Sequence, residues 1–425
     1  MSESNFITTE HSSPCSYIRQ FPHGTKNDNA VLQLAIKEYR PRNNLEPADD
    51  SVTIIAAHAN GFPKECYEPL WDDLVNSATG KIRAIWIADV AHQGASYNLN
   101  AEDLGDDPNW LDHSRDLFLM INHFRDRMKP PFVGFGHSMG ALQIIHLALM
   151  HPRLLHSLII VEPVLQDVSP PGPNAAMFSS FRREMWDSRG VAEKQISKNA
   201  FFQAMDSRVL RNYLDFALKD AGNDVDQDSE RRKVRLVTPK AQEAWSYVRP
   251  NFQPIPDDIS TSAEVRNKER LLNPEYTPFS RYSTVIWTRP EGVLTLQSLP
   301  NLRPRTLFLY GDFSHINFDE IRDKHMVTGT GQGGNGGKAD GGVEEEIVED
   351  TGHLCCFEKP NIVAEAISKW LIKEVGRWER EKEFWVTFDT EKSKNNRKEL
   401  SDKWLAQVKA DANTRRPVAI ANSKL

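Results

Sequence analysis

A serine flanked by glycines is the residue of this sequence whose surroundings best suit covalent chemistry. Residues 136–140 read GHSMG, which fits the pattern G-x-S-x-G around Ser138. An apolar run, 132–135, precedes the pattern, and a helical pattern starts at Ala141. In such a strand–turn–helix setting the serine stands on a sharp turn above a sheet, and the helix N-terminus favours negative charge beside it. We predict that Ser138 is a nucleophile; a chance match to a common pattern is the alternative.

The base that would activate this serine is predicted to be His353. It lies in the loop 349–354, directly after the last predicted strand, 343–348. A loop in that place is where an α/β hydrolase carries its histidine. The other histidines near these segments fit worse and are expected to be packed or surface side chains: His113, His137, His151 and His156.

The carboxylate that would orient His353 is not at its usual place. That place is the third residue past the glycine that ends the seventh strand, and here it holds Ser314. A serine cannot stabilise an imidazolium as a carboxylate does. Glu162 ends the strand after the nucleophile strand, so its turn faces the same crevice, and we predict that Glu162 is the acid. Asp312 and Asp319 are the alternatives, and a Glu162 that only caps the following linker is a further one.

Acyl transfer also needs two backbone N–H groups that stabilise the developing oxyanion. One is predicted to belong to Met139, which follows the nucleophile. The other is predicted to belong to Asn60, in the loop 58–63 (HANGFP) after the third strand. His58 lies in the same loop, and we expect it to hold the loop in place and not to act as a base.

The elements that must position these residues alternate between strand and helix through the first half of the chain. Continuous apolar runs, such as 52–57 and 82–88, are typical of strands that are covered on both faces. Amphipathic stretches such as 110–128 lie between them. This alternation predicts an α/β fold with a doubly wound, mostly parallel sheet. A helical lid is expected after the strand that follows the nucleophile, as in the α/β-hydrolase fold.

Changes of pattern along the chain predict four segments. Residues 1–162 and 303–385 form the two parts of the hydrolase core, 163–302 form the lid, and 386–425 form a charged tail. The lid opens with the helix-breaking linker SPPGP at 169–173. From there it reads as mostly helical, without buried strand runs.

Composition restricts the class of protein further. With 39% hydrophobic and 26% charged residues the 425-residue chain has an ordinary globular balance, and its net charge of -7 argues against a nucleic-acid binder. No stretch approaches the roughly 18–20 apolar residues of a membrane span, and the N-terminus lacks a secretory pattern.

Four cysteines have neither disulfide nor zinc spacing: Cys15, Cys66, Cys355 and Cys356. We predict no metal and no organic cofactor; the oligomeric state stays open.

The last three residues form a targeting signal. Ser423, Lys424 and Leu425 give the C-terminal S-K-L that a peroxisomal import receptor reads on a free tail. They follow a polar, tail-like stretch, although a chance tripeptide is the alternative. We predict import into the peroxisomal matrix.

Several segments carry a resemblance to known proteins: HANGFPKECYEPLWDDL at 58–74, IRAIWIADV at 82–90, NWLDHSRDLFLMINHFRD at 109–126, GHSMGA at 136–141 and IIVEPV at 159–164. The chain resembles the α/β-hydrolase superfamily and, within it, fungal peroxisomal hydrolases. These include the type I acyl-CoA thioesterase of the mycophenolic acid pathway, the yeast peroxisomal lipase and hydrolases of host-selective toxin biosynthesis. In that thioesterase the acid follows the strand after the nucleophile, which by position supports Glu162. The acid there is Asp, so this chain departs from it by one methylene.

The resemblance implies a serine hydrolase that cleaves an acyl-CoA thioester in fungal secondary metabolism, through an acyl-enzyme on Ser138. A lipase or carboxylesterase with the same triad is the alternative, and a catalytically silent binding protein is a third. The phosphates of CoA would need cations near the pocket. The lid offers five candidates, for which solvated helix faces are the favoured explanation: Arg182, Arg183, Arg189, Lys194 and Lys198.

Removal of residues 423–425 tests the targeting prediction. We expect the truncated chain to keep its activity and to stay in the cytosol, because a polar tail contributes little packing. Fluorescence microscopy of the intact and truncated chains beside a peroxisomal marker measures this. A truncated chain that still entered peroxisomes would show that another signal directs import.

Overall fold

A computed structural model describes residues 5–167, 173–222, 232–250, 286–391 and 397–410, together with Ala263, Asn267, Leu271 and Glu275. Its strands, numbered along the described chain, are β1 (Phe6–Pro14), β2 (Gln33–Pro41), β3 (Val52–Ala57), β4 (Ile82–Ala88), β5 (Phe132–His137), β6 (Ser157–Val161), β7 (Met185–Trp186), β8 (Leu218–Asp220), β9 (Val234–Leu236), β10 (Val248–Pro250), β11 (Ile286–Thr288), β12 (Arg305–Gly311) and β13 (Val343–Val348).

The α-helices of the described residues lie between and after these strands. They are α1 (Glu68–Ser77), α2 (Gly94–Asn100), α3 (Asp112–His123), α4 (Met139–Met150), α5 (Ala175–Phe181), α6 (Arg189–Ser197), α7 (Ala200–Gln203), α8 (Ser207–Phe216), α9 (Lys240–Tyr247), α10 (Glu291–Ser298), α11 (Asp319–His325), α12 (Cys355–Glu358), α13 (Pro360–Glu391) and α14 (Asp402–Ala410). A short 3₁₀-helix, Lys64–Tyr67, leads into α1.

Eight strands form the main sheet, in the order β1-β2-β4-β3-β5-β6-β12-β13. The pairs β1–β2 and β2–β4 are antiparallel. Every pair from β4 to β13 is parallel. This is the α/β-hydrolase fold, with the doubly wound, mostly parallel sheet that the alternation of the sequence predicts. All six residues of β3 are buried, as its continuous apolar run requires.

Two hydrophobic cores cover the two faces of this sheet. One contains Trp71 of α1, Phe357 of α12 and Trp370 of α13. The other contains Trp86 of β4 and Leu117 of α3, with most of α4. Because both faces are covered, the ends of the strands are the part of the sheet left for a site.

The register of the parallel strands brings their carboxyl ends to one level. Gly136 pairs with Ala57 on β3, and His137 pairs with Val161 on β6. The ladder continues past the strand ends, since the N–H of Ser138 donates to Val161 O and the N–H of Glu162 donates to Leu309 O, both at 2.9 Å. The turns after β5, β6 and β12 therefore share one edge of the sheet.

The region after β6 contains strands that its predicted, mostly helical character did not include. Besides helices α5 to α10 it contains a three-stranded sheet, β7-β9-β8, and a two-stranded one, β10-β11. These strands are only two or three residues long. Alternation over so few residues has no readable period, which is why the sequence pattern missed them. The edge strand β1 and the short helix α2 were missed as well.

The chain divides into two compact units, residues 1–375 and 376–425. In the second unit the described aromatic side chains Phe384, Trp385 and Trp404 are more than half exposed. The four-segment division proposed from the sequence stays a prediction, and residues 423–425 lie outside the described part of the chain. Among the described residues no helix has both the length and the apolar character that crossing a membrane requires.

A buried ion pair fastens the N-terminal segment to α3. Arg19 donates to both oxygens of Asp116, at 2.7 and 3.0 Å, and Asp116 also accepts from the N–H and the hydroxyl of Ser16. Burial opposes the charged form, but Arg19 outweighs it and lowers the pKa of Asp116. Without Asp116, the only described carboxylate paired with buried Arg19 would be Asp112, whose Oδ2 lies 3.5 Å from Nε of Arg19, and breaking a buried pair is strongly destabilising.

We therefore expect Asp116→Asn to lower the free energy of unfolding by about 3–5 kcal/mol. Asp73 is the matched control, because Arg208 also donates to both of its oxygens, at 2.8 Å each, but from a side chain that is 45% exposed. Asp73→Asn should cost at most about 1 kcal/mol. Urea unfolding of both variants measures the difference. Equal losses would show that burial of the pair is not what stabilises the fold.

Candidate active site

Ser138 lies on a strained turn between β5 and α4. Its φ is 57° and its ψ is -115°, in a region that side chains rarely adopt. Both flanking glycines are required because other backbone atoms lie where a Cβ would be. A Cβ on Gly136 would lie 2.5 Å from Gly140 O, and one on Gly140 would lie 2.2 Å from Ala57 O. The turn is thus possible only with glycine at both positions, and it presents the Ser138 hydroxyl at the edge of the sheet.

The structure joins the three residues predicted to form a triad in one line of hydrogen bonds. The hydroxyl of Ser138 lies 2.9 Å from Nε2 of His353. On the other side of the ring, Nδ1 of His353 lies 3.0 Å from Oε2 of Glu162. A carboxylate can only accept, so Nδ1–H donates to Glu162 and Nε2 is left to accept from the serine hydroxyl. In this tautomer His353 can take a proton from Ser138.

Glu162 is fully buried, and donors from three different segments surround it. Oε1 accepts from the N–H of Gly311 at 2.7 Å. Oε2 accepts from the Ser314 hydroxyl at 2.6 Å and from Nδ2 of Asn317 at 2.8 Å, besides His353. Its backbone has a φ of 47°, which turns the chain away from β6. These contacts satisfy the oxygens of the buried carboxylate and aim it at the histidine.

The usual acid position therefore holds a donor in this chain. Ser314, three residues past Gly311, hydrogen bonds to the carboxylate that stands in for the usual acid. The sequence identified Ser314 only as a missing acid. Asn317 was not singled out at all, and no local pattern marks it, because only the folded loop brings it to Glu162.

The alternative acids make other contacts. Oδ1 of Asp312 accepts from the N–H of Thr351 at 2.9 Å, a bond that lowers the pKa of this exposed carboxyl. Asp319 begins α11, pairs with Arg322 and is exposed. The structure brings Glu162, and neither of these aspartates, within hydrogen-bonding distance of the His353 ring.

The loop that carries Asn60 is held from two directions, by the Gln93 side chain and by the backbone of α9. Oδ1 of Asn60 accepts from Nε2 of Gln93 at 2.5 Å, and its Nδ2 donates to the carbonyl of Glu243 in α9 at 3.1 Å. Gln93 also accepts from the N–H of Gly61 at 2.8 Å. The Asn60 side chain is thus occupied in holding the loop. Met139 is the first residue of α4, where the first helical amides have no partner within the helix.

His58 is buried beneath this loop. Its Nδ1–H donates to Ala59 O at 2.8 Å, and its Nε2 accepts from the N–H of Val90 at 2.9 Å. Burial lowers the pKa of His58, although nearby Asp89 opposes the shift. Asp89 itself binds the ammonium of Lys64 at 2.7 Å. With both ring nitrogens engaged, His58 holds the loop.

Two other histidines near the site, His113 and His137, are also buried. Burial lowers the pKa of His113 on α3 to about 3, and burial together with His353 lowers that of His137 to about 3. Both are therefore neutral at physiological pH. Over the described ranges, no group of three or more His, Cys, Asp or Glu side chains is placed to hold a metal ion.

Comparison with known protein families identifies the class of this fold and site. The model of the alpha/beta hydrolase family matches residues 54–366. The chain belongs to this family, and it is a hydrolase.

Comparison with individual proteins narrows the class of hydrolase further. The chain is 38% identical over 406 residues to the type I acyl-CoA thioesterase mpaH' of Penicillium brevicompactum, covering 91% of this chain and 92% of that one. It is 27% identical over 257 residues to the abhydrolase domain-containing protein AKT2 of Alternaria alternata, covering 58% of this chain and 85% of that one. The peroxisomal alpha-beta-hydrolase Lpx1 of Saccharomyces cerevisiae superposes with a TM-score of 0.67 at 19% identity, over 94% of this chain and 100% of that one. These matches confirm the resemblance to fungal acyl-CoA thioesterases that the sequence segments indicate.

Substitution of the candidate acids tests which carboxylate orients His353. We expect Glu162→Gln to lower kcat on the order of 10³–10⁴-fold, because the neutral amide no longer stabilises the imidazolium. Asp312→Asn and Asp319→Asn neutralise one charge each with a similarly small change of volume, and should lower kcat only a few-fold. Hydrolysis rates of the three variants, with circular dichroism as a check of folding, make the comparison. An inactive Asp312 or Asp319 variant beside an active Glu162 variant would return the acid to the turn after β12.

Proposed function

We propose that this hydrolase is a peroxisomal serine enzyme that cleaves an acyl-CoA thioester through an acyl-enzyme on Ser138. The observation that carries the proposal is the continuous line of hydrogen bonds from Ser138 through His353 to Glu162 on the nucleophile turn. The name of the Penicillium relative, matched over nine-tenths of both chains, supports the thioester as the substrate class.

The reaction follows from the tautomer of His353. Nε2 accepts the Ser138 proton while Oγ attacks the carbonyl carbon of the thioester, and Glu162 stabilises the imidazolium that forms. The N–H groups of Met139 and Asn60 are proposed to donate to the oxyanion. The C–S bond then breaks, and His353 returns the proton to the leaving thiolate. Water activated by His353 attacks the acyl-enzyme, which releases the carboxylic acid and restores Ser138.

Three of the five lid cations considered for the CoA phosphates have partners among the described residues. Arg182 lies 2.7 Å from Glu243, and Arg189 lies 3.6 Å from Glu193 while donating to two backbone carbonyls. Arg183 lies 4.0 Å from Asp187. Lys194 and Lys198 are exposed. Of the five cations considered, we propose these two lysines as the side chains available to a phosphate.

The location and the pathway are proposed from sequence features. Import into the peroxisomal matrix rests on Ser423, Lys424 and Leu425, with the peroxisomal enzyme Lpx1 as a protein of the same fold. A role in fungal secondary metabolism rests on the similarity to fungal thioesterases. Peroxisomes handle CoA esters, so a thioesterase there would release free acids.

A substrate panel with Ser138→Ala as the blank tests the function. We expect the wild-type chain to hydrolyse acyl-CoAs with a kcat/KM about 10³-fold above its values for p-nitrophenyl esters and triglycerides, corresponding to about 4 kcal/mol of selectivity. Ser138→Ala should lose at least about 10³-fold in kcat with an unchanged fold. Preference for the oxygen esters would favour the lipase or carboxylesterase alternative. An alanine variant with normal turnover would exclude the serine mechanism altogether.

A further inference from the structure

We infer that Tyr67 is a positioning residue that holds the oxyanion loop (58–63), the nucleophile turn (136–140) and the base loop (349–354) in one geometry. The inference rests on the proposed serine mechanism. Tyr67 ends the 3₁₀-helix before α1, and its side chain is fully buried. Its hydroxyl lies 2.8 Å from the N–H of Ala59, next to Asn60, and 2.9 Å from Nδ1 of His137, next to Ser138.

The direction of each hydrogen bond in this chain is fixed by chemistry. Nε2 of His137 lies 3.1 Å from the backbone carbonyl of His353, and a carbonyl only accepts, so Nε2 carries the proton. Nδ1 is then the acceptor, and the Tyr67 hydroxyl donates to it. The same hydroxyl accepts from the N–H of Ala59. The Cys356 thiol, at 3.4 Å from Nδ1, is a weaker second donor.

Burial keeps this arrangement unchanged over the pH range in which an enzyme works. It raises the pKa of the Tyr67 hydroxyl well above its usual value, so the hydroxyl remains a donor. Burial and the nearby His353 lower the pKa of His137 to about 3, so its Nδ1 remains an acceptor. His137 is therefore unsuited to act as a base, and its part is to fix the position of its neighbours.

The oxyanion loop, the nucleophile turn and, through His137, the base loop are thereby tied to one hydroxyl. His353 is held at two points, by Glu162 at its ring and by His137 at its backbone carbonyl. The aromatic ring of Phe357, in the helix that follows His353, packs on the same group. Its centroid lies 4.8 Å from that of Tyr67, 5.3 Å from that of His137 and 5.0 Å from that of Phe62 in the oxyanion loop.

Tyr67 is therefore expected to affect the relative positions of the catalytic groups and not the binding of the substrate. Tyr67 is buried in the core, so its hydroxyl contacts the loops and no substrate. Losing it should leave ground-state binding nearly unchanged and misplace the serine, the histidine and the oxyanion donors relative to one another. Small displacements of reacting groups lower the rate of the chemical step by up to about 10²-fold.

Tyr67→Phe tests the inference, because it removes the hydroxyl and keeps the ring. We expect kcat to fall about 10- to 100-fold with KM changed less than about threefold, on both an acyl-CoA and a p-nitrophenyl ester. The rate at which a fluorophosphonate labels Ser138 should fall by a similar factor. That rate reports the reactivity of the serine without any acyl substrate.

The chain contains a control in Tyr39 of β2. Its buried hydroxyl donates to Oε1 of Glu68 at 2.9 Å. Tyr39→Phe therefore removes a buried tyrosine hydroxyl and its hydrogen bond without touching the three loops. It should lower thermal stability about as much as Tyr67→Phe while leaving kcat and labelling unchanged. An equal loss of kcat in both variants would overturn the positioning role.

A second variant keeps the test decisive if Tyr67→Phe is poorly folded. His137→Asn retains an acceptor near the position of Nδ1 but lacks the donor to the His353 carbonyl. It should lower kcat by a factor similar to that of Tyr67→Phe, and the double variant should lose less than the product of the two, because both act through one chain of bonds. Additive losses, or a labelling rate unchanged in both single variants, would overturn the inference. A wild-type chain that fluorophosphonate does not label would instead overturn the serine mechanism.

Discussion

The geometry of the candidate site depends on one buried carboxylate. Glu162 has no access to solvent, and an ionised carboxylate without partners in such a place would cost several kcal/mol. Its partners come from the end of β12, from the loop after it and from His353. Since these segments are far apart in sequence, the charge can be accommodated only when β6, β12 and the base loop are all in their native places. Because the Glu162 carboxylate needs all of these hydrogen bonds, the position of His353 depends on the packing of β6 and β12 in the sheet.

Backbone strain at the sheet edge serves the same arrangement. Ser138 and Glu162 follow adjacent parallel strands, and both have positive φ values, 57° and 47°. Such conformations cost roughly 1–3 kcal/mol each and persist only where the surroundings over-determine them. Here the ladder continues through both residues, because the N–H of Ser138 donates to Val161 O and that of Glu162 donates to Leu309 O. The sheet therefore holds two side chains out of line with their strands and towards one another.

The lid contacts the oxyanion loop, which lies at the edge of the sheet that carries Ser138. Nδ2 of Asn60 donates to a carbonyl of α9, and a Cβ on Gly61 would lie 2.9 Å from Cδ of Glu243 on the same helix. Glu243 in turn pairs with Arg182 and accepts from the Ser179 hydroxyl of α5 at 2.5 Å. A change in the packing of α5 against α9 would therefore change the position of Asn60. This contact links the packing of the lid directly to the position of Asn60.

The sequence by itself determined the order of the main strands from β2 to β6 and of β12 and β13, because buried runs such as β3 and β6 and the glycine pattern around Ser138 are local signals. It also indicated Ser138, Glu162 and His353, since each follows a readable strand and the carboxyl ends of parallel strands meet at one edge. What only the tertiary structure decided are contacts between segments with no shared pattern. Ser314 and Asn317 turn towards Glu162, Tyr67 bridges Ala59 and His137, and the short strands β7 to β11 pair within the lid. Hydrogen bonds between such distant residues depend on side-chain direction and loop closure, and one-dimensional periodicity carries neither.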